Sequence, residues 1–330
     1  SIGSTRGSLL ELDNEAQLAG LIGHELGHVN ARHGAQSAGK AIVAGLIIAG
    51  VGIAAASSDK AGEWVPLIQI VGEVGASALL ASYSRDNERE ADSLGMSYMT
   101  GVGYPASGMS ELMEVLVRQS TAKPGLLDTM FSSHPMSGER LANMRREAAS
   151  RHAASASAPV QRERYMDHTA SLRALRPAIA DQQRGEQAMS KKRLAEAQLA
   201  FDSALKRAPD DYAGLCLMAK CQMTQNRRNE AQAYLAQARR VYPGEGQAMQ
   251  LAGINLIALK RFDDSLQELN RFAQTLPGDP DTDFLTALSY EGLQNRSAAA
   301  AAYRRYLAAV PQGDASRHAS SRLKAWGMVR

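Results

Sequence analysis

His24-Glu25-Leu26-Gly27-His28 sets two imidazoles four residues apart with a carboxylate between them, inside a run of helical apolar spacing. On an α-helix such residues have Cβ atoms about 5–6 Å apart, so two imidazole nitrogens reach one Zn2+ at about 2.0–2.1 Å. Glu25, about 100° further round the helix, faces a water beside the metal rather than the metal itself. The pattern starts with Asp13 as a capping residue and Glu15 in the first turn. It runs through Leu18, Leu21, Ile22 and Val29 and stops at Gly34. Gly20, Gly23 and Gly27 each cost roughly 1 kcal/mol relative to alanine inside a helix, which predicts that another backbone passes close by. A pentapeptide of this kind arises by accident in on the order of one in a hundred chains of this length, so it calls for a third ligand.

Glu88 is the candidate. It sits 60 residues after His28 on a second helical stretch, Ser84 to Met99, with Asp92 one turn further on the same face. A carboxylate would complete a His-His-Glu catalytic set, leaving a fourth position for water. Asp92 could accept the remaining N–H of a ligand histidine and so set its tautomer. The competing reading is an exposed acidic face paired with Arg85 and Arg89. Further on, Pro105 and Ser107 introduce an amphipathic helix with Met109, Leu112, Met113, Leu116 and Val117 on its apolar side. Residues 41–81 read as a helical hairpin of two apolar segments. The first, Ala41 to Ala56, is 16 residues, about 24 Å as a helix, short of the roughly 30 Å hydrocarbon core. A buried or site-covering hairpin and a peripheral membrane contact both remain open for it.

Pro209, Pro243, Pro277 and Pro311 recur at a strict spacing of 34, the period of tetratricopeptide (TPR) helix pairs. Small residues stand 24 before each proline (Gly185, Ala219, Gly253, Ala287) and 12 before (Ala197, Ala231, Ser265, Ala299), where paired helices cross closely. Phe201, Leu235, Leu269 and Tyr303, eight before each proline, are the larger fillers. About four repeats and a capping helix from Asp314 to Trp326 give a continuous α-solenoid whose groove suits a protein partner. A spacer or brace is the plainer alternative.

With 330 residues the chain has room for more than one domain. Residues 1–150 carry 11 Lys/Arg against 16 Asp/Glu and residues 151–330 carry 26 against 18, a contrast that marks a domain division. The basic residues of the second part are interspersed with acidic ones, which argues against nucleic-acid binding. Cys216 and Cys221 point about 140° apart on a helix and are expected as unpaired core thiols. His33, His152, His168 and His318 are expected to be exposed. The chain begins at Ser1 without an initiator Met or an export signal, so processing or truncation is expected upstream.

His24-Glu25-x-x-His28, Tyr83-Ser84-Arg85-x-Asn87-Glu88-x-Glu90-Ala91-Asp92 and Ser133-His134-Pro135 followed by Arg140 resemble, in order, the motifs of the zinc metallopeptidases related to HtpX and the CaaX prenyl proteases. The added TPR array is similar to the β-barrel assembly-enhancing branch of bacterial outer-membrane maintenance. The resemblance implies His24, His28 and Glu88 as ligands of one Zn2+ per chain, Glu25 as catalytic base and Asp92 as the partner behind a ligand. It also implies an exported, membrane-associated protein of the bacterial periplasm. Residue 1 falls where the strands before the zinc helix end in that family, so most of the substrate-aligning sheet is expected to be missing from this chain.

The expected architecture is therefore mainly α. A zincin-like metallopeptidase domain spans 1–147, an Ala/Ser-rich linker and connecting helix 148–177, and the TPR domain 178–330. The expected function is zinc-dependent endoproteolysis of misfolded or unassembled envelope proteins, with protein or peptide substrates and a partner at the TPR groove. A TPR adaptor or chaperone with a latent peptidase domain is the alternative. An oxyanion donor besides zinc could come from His134 or Arg140. His134 could instead occupy the open zinc position and hold the enzyme latent, or play a plain loop role.

Overall fold

A computed structural model describes residues 6–33, 83–122, 134 and 137–328. The hairpin expected over 41–81, and with it the membrane contact and the Gly34 stop, lie outside the described residues. These residues are helical, with no strand among them, and fall into two compact units divided between Arg176 and Pro177.

The first unit contains α1 (Arg6–Glu11), α2 (Glu15–Asn30), α3 (Arg85–Gly101), α4 (Ser107–Ala122) and α5 (Gly138–Ala149). A 3-10 turn (Ala153–Ser155), α6 (Arg162–His168) and α7 (Ala170–Ala174) follow. Asn14, not Asp13, caps α2: its side-chain oxygen accepts from Gln17 N at 2.9 Å. Asp13 is engaged one step earlier, donating its backbone N–H to Gln17 Oε1 at 2.7 Å, so the two adjacent polar residues divide the work.

The α2 glycines form the seam that builds the site. A Cβ on Gly27 would lie 2.8 Å from Ala91 Cα, one on Gly23 2.8 Å from Gly95 O, and one on Gly20 3.2 Å from Met109 Cα. The backbones of α2, α3 and α4 therefore approach as the sequence predicts, and a methyl group at Gly23 or Gly27 would force them apart at roughly 1–3 kcal/mol. Around the seam lie Leu12, Leu21, Met96, Met99, Met109, Leu112 and Met144, a core in which flexible thioethers fill irregular gaps. Val117, expected on the apolar side of α4, is 38% exposed.

The composition of 148–177 suits a tether, yet these residues are bonded to the first unit through Arg176. Val160 O accepts from Ala16 N at 3.3 Å, Tyr165 Oη donates to Leu9 O at 2.6 Å, and Arg173 Nη2 donates to Leu12 O at 2.7 Å.

In the second unit four helix pairs follow one another: α8 (Arg176–Ser190) with α9 (Leu194–Arg207), α10 (Tyr212–Thr224) with α11 (Arg228–Val241), α12 (Gln247–Ala258) with α13 (Phe262–Thr275), and α14 (Pro280–Gly292) with α15 (Arg296–Ala309). α16 (Asp314–Ala325) closes the series. Every turn within a pair bends through one left-handed residue, at Lys192, Asn226, Lys260 and Gln294, with φ between 57° and 60°. Their 34-residue spacing repeats the proline period. The small positions work as the pattern requires: Ala197, Ala219, Ala231, Ser265, Ala287 and Ala299 are fully buried. A Cβ on Gly185 would strike the Phe201 ring, and one on Gly253 would lie 2.8 Å from Leu269 Cδ2. Cys216 and Cys221 are buried and unpaired. None of the described helices is long and apolar enough to cross a membrane.

Candidate metal centre

Three stretches of the first unit converge. α2 supplies His24 and His28 from one face, and α3 supplies Glu88 and Asp92. Ser84 starts α3, its hydroxyl accepting from Asn87 N at 3.2 Å. Ser137 caps α5 in the same way through Arg140 N, which anchors Arg140 in the first turn. His134 approaches from the segment before α5.

His24 Nε2 lies 3.1 Å from His28 Nε2, 3.3 Å from His134 Nδ1 and 3.6 Å from Glu88 Oε2. Glu88 Oε1 lies 3.3 Å from His28 Nε2 and 2.9 Å from His134 Nδ1. All four donors fall within 4.8 Å of one another, and His24, His28 and Glu88 are buried. Tetrahedral ligands about 2.0–2.2 Å from one ion stand about 3.3–3.6 Å apart, so this set fits a zinc-sized cation in both spacing and chemistry.

The electrostatics suit the same purpose. Burial pushes the His28 imidazole below its ordinary value, outweighing the hydrogen bond to Glu88 that acts the other way, and favours the neutral ring that can bind metal. Burial opposes the charge on Glu88, but the hydrogen bonds from His134 and His28, with the charge of His24, hold its carboxyl well below the usual carboxylate range. Arg140 supports that charge: it is 3% exposed, with Nη1 2.7 Å from Glu88 Oε2 and Nε and Nη2 each 2.8 Å from an Asp92 oxygen. These contacts commit the guanidinium to two carboxylates. Asp92 Oδ1 in turn lies 2.9 Å from His24 Nδ1. The exposed acidic face considered for Glu88 and Asp92 is excluded by their burial, at 0% and 4% exposure.

Glu25 stands outside the ligand set, partly exposed, with Oε1 3.8 Å from His134 Nε2. Its position leaves the carboxylate free to meet a water at the edge of the cluster.

Residues 1–148 match the profile of peptidase family M48, and residues 188–254 match that of the tetratricopeptide repeat. Residues 1–148 are a peptidase family M48 domain. The chain is 33% identical over 146 residues to metalloprotease YcaL of Escherichia coli K12, covering 43% of this chain and 53% of that protein. To the β-barrel assembly-enhancing protease of the same strain it is 32% identical over 147 residues, covering 41% of this chain and 28% of the relative. The putative β-barrel assembly-enhancing protease of Vibrio cholerae is 29% identical over 159 residues, 43% of this chain and 29% of that protein. The chain thus spans about half the length of YcaL and less than a third of the other two.

The M48 domain contains two residues whose place at the centre the sequence did not reveal. His33, expected to be exposed, is 1% exposed and touches His28, and the Tyr83 ring stacks on His28 at 4.2 Å and 28°. Tyr83 belongs to the quoted motif, so a signal for it was present. His33 was hidden because helical periodicity places a residue five after His28 about 140° away, whereas α2 has ended by then.

Proposed function

We propose that this protein is a zinc-dependent endopeptidase of the bacterial cell envelope that degrades misfolded or unassembled envelope proteins, with the TPR groove receiving a partner or client. The convergence of His24, His28 and Glu88, with Glu25 beside them, carries the reading. His24 Nε2, His28 Nε2 and a Glu88 oxygen would hold one Zn2+, and a bound zinc supplies a Lewis acid that brings the pKa of a water to about 7 and polarises a carbonyl oxygen. Glu25 takes the proton of the attacking water and returns it to the leaving amine nitrogen. Asp92 keeps His24 oriented by accepting from Nδ1, and Arg140 holds the Glu88 and Asp92 carboxylates in place. The names of the relatives support the envelope assignment, and the uncharged run Ala41 to Ala56 supports a peripheral membrane contact.

A second reading, a TPR adaptor or chaperone with a latent peptidase domain, is favoured by one observation. His134 Nδ1 lies within the ligand cluster, at 3.3 Å from His24 Nε2 and 2.9 Å from Glu88 Oε1, where it would take the place a water needs. Swung outward, the same imidazole could donate to the developing oxyanion. Cleavage of an unfolded protein by the wild type and by His134→Ala separates these roles. A several-fold gain in the variant is the expected result if His134 closes the site; an equal or lower rate removes latency. Absence of chelator-sensitive cleavage in both proteins leaves the adaptor reading.

A further inference from the structure

α2 ends at Asn30, with Ala31 N donating to Gly27 O and Arg32 N to Val29 O. Arg32 then takes a left-handed conformation, φ 56°, and this reversal returns His33 to the buried side of the helix it has just left. There His33 Nδ1 lies 3.0 Å from His28 Nδ1, and His33 Nε2 lies 3.3 Å from Glu90 Oε2 of α3. Glu90 is largely exposed, so the line His28, His33, Glu90 runs from the centre out to solvent.

Two ring nitrogens 3.0 Å apart in a buried pocket must share one proton, because two bare lone pairs repel and two N–H groups collide. The donor cluster decides which ring gives it. His28 directs Nε2 toward His24 Nε2 and Glu88 Oε1, so with a metal bound that nitrogen is bare and its proton sits on Nδ1. His28 Nδ1–H then donates to a bare His33 Nδ1. His33 carries its own proton on Nε2 and donates it to Glu90 Oε2. Every ring nitrogen in the chain has a role, and the two tautomers determine each other. His24 has the shorter version of the same arrangement, bonded at Nδ1 to buried Asp92.

We infer that His33 is a positioning residue: backed by Glu90, it sets the tautomer and ring orientation of His28 so that Nε2 is presented bare to the metal. The inference rests on reading His28 as a ligand. Loss of such a partner costs about 10–100-fold in metal affinity, and Glu90, being hydrated, contributes less than a buried carboxylate.

The experiment uses the full chain and Zn2+ alone. Chelator competition gives zinc affinity for the wild type, His33→Phe, His33→Asn and Glu90→Gln, and long-range 15N–1H NMR of 15N-histidine-labelled, zinc-loaded protein reads the His28 tautomer and the hydrogen bond at its Nδ1 directly. His33→Phe keeps ring volume without an acceptor and is expected to weaken zinc binding about 10–100-fold and to remove the hydrogen-bond shift of the His28 Nδ1–H resonance. His33→Asn retains an acceptor oxygen and recovers part of both, and Glu90→Gln changes affinity by only a few-fold. Wild-type zinc affinity in His33→Phe with an unchanged His28 tautomer overturns the inference. Should His33→Phe lose its helical circular dichroism, His33→Asn and the wild-type tautomer decide: an Nε2–H form of His28 in the wild type also overturns it. If no protein binds zinc, the ligand reading of His28 fails; zinc bound equally tightly by wild type and His33→Phe defeats the inference alone.

Discussion

Glu25→Gln is expected to retain one zinc per chain and to cleave an unfolded protein about 10²–10⁴-fold more slowly, the usual contribution of a positioned general base. The variant preserves shape, since glutamine differs from glutamate in one terminal group. It removes the carboxylate proposed to receive the proton of the water. Zinc should stay because the proposed ligands are His24, His28 and Glu88, and Glu25 lies to one side, with Oε1 3.8 Å from His134 Nε2. The measurement is kcat/KM alongside metal content. Equal cleavage by the two proteins would end the general-base assignment, and loss of zinc in the variant would place Glu25 among the ligands.

Arg140→Leu should be the most damaging substitution for stability. It leaves Glu88 and Asp92, at 0% and 4% exposure, as neighbouring buried carboxylates without their cation. Removing one partner from a buried charge group costs about 3–5 kcal/mol. Arg140→Lys restores a charge but not the planar fork that bonds Asp92 through Nε and Nη2, so only part of the loss returns. Two conditions sharpen the test. Zinc, as a dication at Glu88, should narrow the gap between wild type and variant, making the loss greatest in metal-free protein. Acid should narrow it as well. The folded-state value of Glu88 is depressed, so its contribution is complete above the ordinary carboxylate range and is lost as pH falls toward the depressed value, whereas an Arg140-free site takes up its proton sooner. Denaturant unfolding of both proteins, with and without zinc, reads these differences. A loss below about 1 kcal/mol in metal-free protein at neutral pH would show that the carboxylates do not depend on Arg140.

Much of this was legible because periodicity carries it. Four prolines 34 apart, with small residues 24 and 12 before them, locate the close crossings of the helix pairs, and Gly253 against Leu269 shows the size exchange directly. Gly23 and Gly27 likewise announced a backbone crossing, which proves to be that of α3 at Gly95 and Ala91. What stayed hidden depends on direction rather than spacing. No pattern states that Arg32 turns left-handed and folds His33 under His28, or that the Arg140 guanidinium points inward to Asp92 and Glu88 instead of outward to a substrate. Composition is silent on the bonds that Val160, Tyr165 and Arg173 make to Ala16, Leu9 and Leu12, about 150 residues away.

The proposed function requires His24, His28 and Glu88 to hold one catalytic metal. Zinc titration of the metal-free protein, followed by X-ray absorption at the zinc edge, tests this most directly. The predicted result is one zinc per chain in a nitrogen- and oxygen-only first shell, with binding abolished or weakened at least 100-fold by Glu88→Gln. Sub-stoichiometric zinc in the wild type, or unchanged affinity in Glu88→Gln, would contradict it.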